Sequence, residues 1–77
     1  MKGEKRQVKV DYEPVELFKI LKFQDLVMSG GEAKHVISQG LVRVNGEIET
    51  RKTKKIYVGD RIDFQGVCMT ITLGSGQ

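Results

Sequence analysis

The sequence predicts an α+β domain in which two short helices pack on a small antiparallel β-sheet. Three observations lead there. Apolar residues recur at helical spacing in two places, first Leu17, Ile20 and Leu21, then Ala33, Val36 and Ile37. The pair Asn45-Gly46 lies between short apolar runs, and that dipeptide is the strongest short-range sign of a β-hairpin. Towards the C-terminus, apolar and polar residues alternate with the period of half-buried strands.

The elements follow in order. Residues 1 to 6 are polar and are expected to fray. Val8, Val10 and Tyr12 alternate with Lys9 and Asp11, which predicts a strand. Pro14 suits the first position of a helix, with Glu13 and Glu16 near its positive end. In that helix Leu17, Ile20, Leu21 and Gln24 share a face, Lys19 and Lys22 point to solvent, and Phe18 and Phe23 widen the apolar stripe. A second helix starts at Ser29. Ser29 and Glu32 fit a capping box, with the glutamate reaching back to the serine N–H. Gly40 can adopt the left-handed conformation that ends a helix. Leu41, Val42 and Val44 lead into the Asn45-Gly46 turn, and Ile48 continues beyond it. After a basic stretch come Ile56-Tyr57-Val58, a turn at Gly59-Asp60, and the alternating Ile62 and Phe64. Gly66 breaks the run before a last strand, Val67 to Leu73. Gly74 to Gln77 reads as a mobile tail.

The chain of 77 residues makes one domain, 1 to 77, with 39% apolar and 30% charged residues. A chain this short buries only about 60% of the surface its unfolded form exposes, so its core is thin. Its single cysteine, Cys68, excludes an intrachain disulfide and fits a reducing compartment. Cys68 lies in the apolar run Val67-Cys68-Met69 and reads as a small buried hydrophobe. No apolar stretch approaches the ~20 residues that span a bilayer. Met1 to Lys9 is charged and leads into no apolar core, so a secretory signal is not expected and the cytoplasm is.

The net charge is only +3, so its distribution matters more than its total. Arg51, Lys52, Lys54 and Lys55 fall within five positions that hold no acid. Their spacing does not follow the period of two that would put all four on one sheet face, so an irregular loop is expected. Such a loop fans its cations around a phosphate chain, or else it is a solvated surface run or an edge kept from aggregating. Lys34, on the polar side of the second helix, and Arg43, on the strand after it, join the same positive surface if helix and hairpin pack together. Ser29-Gly30-Gly31 opens a helix, where free N–H groups attract anions; the same residues also serve as a plain turn between two helices.

Other chemistries find little support. There is no phosphate-loop or dinucleotide-binding signature. His35 is the only histidine and has no cysteine or acid at ligand spacing, so neither metal nor cofactor is expected. Glu47, Glu49, Asp60 and Asp63 follow strand and turn positions and do not form an acid–base pair. No serine or cysteine has a partner base, so an enzyme is not expected. Aromatic residues make up 6% of the chain and tryptophan is absent, a poor endowment for stacking bases. If the chain binds RNA, recognition of a folded or double-helical region through backbone and shape is the more natural mode.

Ser29-Gly30-Gly31-Glu32-Ala33-Lys34, followed by Ile37, Gly40, Val42, Val44-Asn45-Gly46 and Gly59-Asp60, resembles the S-four-type RNA-binding domain. This is the αL-motif domain named after small-subunit ribosomal protein S-four. The likeness covers about residues 14 to 65. The double glycine and the segment from Glu49 to Lys55 are similar in particular to small stand-alone bacterial members of the YbcJ type. The resemblance implies a helix pair and hairpin that hold structured RNA, ribosomal or transfer RNA, without catalysis. It implies contacts from Lys34, Arg43, Arg51, Lys52, Lys54 and Lys55, with Ser29, Gly30 and Gly31 as a further phosphate site. Many members carry an arginine where this chain has Gly30. The synthase domain joined to the motif in some members has no counterpart in these residues. A monomer associated with the ribosome is expected. The rival reading is a protein-interaction module that docks an acidic, ribosome-associated partner on the same basic patch.

Overall fold

The computed structural model describes residues 3–74. In chain order the elements are β1 Glu4–Val10, β2 Val15–Glu16, α1 Leu17–Phe23, α2 Gly30–Ser38, β3 Arg43–Val44, β4 Glu47–Ile48, β5 Lys55–Ile56, β6 Arg61–Phe64 and β7 Val67–Leu73. Five strands form one sheet in the order β1-β7-β6-β3-β4, and β2 pairs with β5 in a separate two-stranded ribbon. The expected α+β class holds.

Strand alternation decides which sheet face is covered. Val8, Val10, Val44, Ile62, Phe64, Val67, Met69 and Ile71 point to one side and are buried. Leu17, Ile20 and Leu21 of α1 and Ala33, Val36 and Ile37 of α2 close over them. Lys5, Gln7, Lys9, Arg43 and Arg61 lie on the other, open side.

The second helix forms as its ends dictate. Ser29 is extended and its hydroxyl accepts from the Glu32 N–H at 3.1 Å. The glutamate reaches back one residue further than expected, accepting from the Met28 N–H at 2.7 Å instead of that of Ser29. At the far end Gly40 has φ +78°; its N–H donates to Ile37 O at 3.0 Å and the Leu41 N–H donates to Val36 O at 3.2 Å. This pair of bonds is the Schellman closure. The turn at Asn45-Gly46 has φ of 53° and 88°, as a two-residue hairpin requires. The Asn45 side chain also stitches that turn to β6, donating to Asp60 at 3.1 Å and accepting from the Arg61 N–H at 2.9 Å.

Several expectations are corrected. The first helix starts at Leu17, not at Pro14. Pro14 follows a cis peptide bond, and Val15 and Glu16 pair with Ile56 and Lys55 as β2. Residues 4–6, expected to fray, belong to β1, which ends at Val10 and leaves Tyr12 exposed. The sheet is mixed, because β1 runs parallel to β7 from Glu4↔Val67 to Val10↔Leu73. Cys68 is half-buried on the open face, because alternation buries its neighbours Val67 and Met69 instead. Asp63 lies opposite it and, accepting from the thiol, raises its pKa, so the sulfur is not activated as a thiolate. Tyr57 and Val58 leave the β5 ribbon for the turn at Gly59. The expected mobile tail lies outside the described residues from 75 onward; Gly74 itself donates to Val10 O at 2.8 Å.

Candidate nucleic-acid interface

From Arg51 to Lys54 the basic stretch is an irregular loop, as its spacing predicts, while Lys55 opens β5; the loop is fastened to the start of α1. The Leu17 N–H donates to Lys54 O at 2.9 Å and the Phe18 N–H donates to Lys52 O at 3.3 Å. Two backbone donors that a helix start leaves over are thereby satisfied by the loop. The lysine backbones are anchored while their side chains remain outside.

Phe18 sits between this loop and α2. The Lys34 ammonium lies 4.6 Å from the ring centroid, a cation–π distance, and the Lys19 ammonium lies 6.0 Å from it. A Cβ added at Gly30 would come within 3.8 Å of the same ring, an ordinary contact. The first turn of α2 and the basic loop therefore flank one aromatic side chain. Sequence reasoning gave Phe18 only a packing role and sent Lys19 to solvent. The helical spacing around Phe18 and Lys19 does not reveal this arrangement, because it depends on how α2 and the loop are packed against α1.

The six predicted cations do not all converge. Lys34 over Phe18, and Lys52 and Lys54 in the loop, have no ion-pair partner among the described residues. Arg51 is engaged by Glu49, its Nε donating at 2.9 Å and its Nη2 at 3.1 Å, while its backbone N–H donates to the same carboxylate at 2.9 Å. Those bonds hold Glu49, whose side chain is only 12% exposed, at a pKa of about 2 against an ordinary 4.5, and they raise that of Arg51. Lys55 shares the Glu16 carboxylate with Lys19, at 3.7 Å and 3.4 Å. Arg43 is set apart. Val42 and Val44 face the core, so Arg43 points to the open sheet side, opposite Asp63 in β6.

At the start of α2 the N–H groups of Gly30 and Gly31 make no hydrogen bond among the described residues. They meet the positive end of the helix dipole, with the Glu32 carboxylate close by. Beside the loop, Arg51, Thr53, Lys54, Lys55 and Tyr57 line a depression of about 410 Å³. The described residues contain no cluster of His, Cys, Asp and Glu able to hold a metal, and no helix long and apolar enough to cross a membrane.

Comparison with known proteins places this arrangement among relatives. The family model described as the S4 domain matches residues 8–72. A Bacillus subtilis protein named "Probable ribosome maturation protein RlbA" is 39% identical over 59 residues, covering 77% of this chain and 83% of that protein. An Escherichia coli protein named "Putative RNA-binding protein YbcJ" is 44% identical over 52 residues, covering 68% of this chain and 74% of that one. The solution structure of Escherichia coli YbcJ, described as showing an αL motif involved in RNA binding, superposes with a TM-score of 0.63 at 32% identity, covering 94% of this chain and 90% of that one.

Proposed function

The chain belongs to the S4 domain family, and from that premise we propose that it is a non-catalytic protein that binds structured RNA. The observation that carries the reading is the surface around Phe18. Lys34 of α2 lies over the ring, the backbones of Lys52 and Lys54 are tied to the start of α1 beside it, and none of the three has an ion-pair partner among the described residues. Three ammonium groups on fixed backbones suit a phosphate chain, and the N–H groups of Gly30 and Gly31, unbonded among the described residues, add an anion site beside them. Arg51 and Lys55 contribute from the loop edge with part of their charge already balanced. Arg43 serves a different face. The relatives' names support RNA over an acidic protein partner, and one of them, a probable ribosome maturation protein, supports a target on the ribosome. A cytoplasmic monomer acting on ribosomal RNA is the finer form of this reading.

The test is the salt dependence of binding to a ribosomal RNA hairpin. Each phosphate that is no longer neutralised should flatten the plot of log affinity against log salt by about 0.7–0.9. The triple variant Lys34→Ala, Lys52→Ala, Lys54→Ala should weaken binding and flatten the slope by about 2 to 3. An unchanged slope, with the fold intact by NMR, would remove this surface from the interface.

A further inference from the structure

We propose that the depression beside the loop receives one unpaired nucleotide of the bound RNA, its phosphate held by Lys54 and Lys55 and its base laid against Tyr57. The proposal rests on the RNA-binding reading and gives that interface a reason to prefer one RNA shape over another.

The lining has the composition such a guest needs. Three cations, the Thr53 hydroxyl and the Tyr57 phenol border the depression, and among the described residues no carboxylate does. At about 410 Å³ it falls within the ~300–1,000 Å³ typical of small-molecule sites. Phosphate contacts alone would not call for an aromatic side chain. Tyr57 is 49% exposed at this place, although the chain holds only five aromatic residues. A ring that is half in water gains by covering its face, and every base offers a matching face.

The depression is also built before any guest arrives. The Lys54 carbonyl is tied to the start of α1, and the Lys54 N–H donates to Arg51 O at 3.3 Å. Buried Ile56 pins β5 between Lys55 and Tyr57. The Tyr57 N–H donates to Asp60 at 2.8 Å and the Val58 N–H donates to Glu13 at 2.8 Å. Glu49 fixes the Arg51 guanidinium through Nε and Nη2 and leaves Nη1 as a donor. A site whose walls are already held loses little freedom on binding.

A paired stem keeps its bases stacked inside the helix, so only a bulged, looped or terminal nucleotide can enter. The discriminating pair of ligands is one RNA hairpin in two forms, fully paired and with a single-nucleotide bulge carrying 2-aminopurine. The wild-type protein should bind the bulged form about tenfold more tightly, with a change in 2-aminopurine emission. Tyr57→Ala should erase the preference and the emission change while leaving affinity for the paired form as it was. Tyr57→Phe should keep both, since the ring and not the hydroxyl does the stacking. Equal wild-type affinity for the two hairpins would overturn the pocket while leaving the RNA-binding reading intact. So would a Tyr57→Ala variant that weakens both forms alike, or a free mononucleotide that competes as well as the bulged hairpin. Failure to bind either hairpin would instead overturn both.

Discussion

The two helix starts solve the same problem in opposite ways. Each must satisfy backbone N–H groups that the helix itself cannot. At α1 the protein uses its own loop: the carbonyls of Lys52 and Lys54 cover the Leu17 and Phe18 donors, and Glu16 offers no side-chain cap. At α2 a serine hydroxyl covers one donor, and those of Gly30 and Gly31 stay open among the described residues. The closed start fixes where the basic loop sits. The open start leaves room for an anion. An interface for a polyanion needs both, a rigid frame for the cations and a place where charge can still be received.

Breaking the closed start should have the largest effect. Leu17 is fully buried, so Leu17→Ala should cost about 2–5 kcal/mol in denaturant unfolding. The amides of Leu17 and Phe18 should then exchange with solvent faster while the Glu32 amide at the other start keeps its protection. Equal loosening at both starts would show that the two are not independent.

An intermediate effect is expected at the outer edge of the loop. Glu49 titrates at about 2 in the folded protein against an ordinary 4.5, so its pairing with Arg51 stabilises the fold fully above about pH 4.5, and that stabilisation drains away as the pH falls towards 2. Glu49→Gln should remove this part of the acid dependence of the melting temperature and free Arg51. RNA binding should then gain up to about 0.9 in salt slope. A melting curve of unchanged pH dependence between those limits would show that the pair is not maintained in solution.

The smallest effect is expected at the open start. Gly30→Arg meets no backbone, and its Cβ would lie 3.8 Å from Phe18, near the Lys34 ammonium. It should tighten RNA binding at low salt and steepen the slope by about 0.7–0.9, the share of one phosphate. Weaker binding would mean that the added side chain blocks the place an anion takes on the Gly30 and Gly31 N–H groups.

Local signals are the legible ones. Ser29 with Glu32, Gly40, and Asn45-Gly46 each act within a few residues, and each lies where the sequence places it. The α1 start is not legible because its donors are satisfied by residues more than thirty positions away, and Pro14 offers a nearer answer. The β1–β7 pairing joins opposite ends of the chain, and strand alternation carries no information about the partner. Within the candidate site, the clustered charges are plain to see. The acid that holds Lys55 is not, since Glu16 becomes its partner only once the loop has folded back, whereas Glu49 pairs with Arg51 from two residues away and lies within reach of a local reading. Arg43 is legible in principle: alternation with Val42 and Val44 already sends it away from the helix side.

The parallel pairing of β1 with β7 has a mechanical consequence. Seven residue pairs lie in register, from Glu4 with Val67 to Val10 with Leu73. A tension applied at Glu4 and Leu73 pulls the two strands past each other lengthwise. The evenly spaced ladder bonds are then loaded together instead of opening one after another. The sheet edge farthest from β4 thus acts as a lock against stretching.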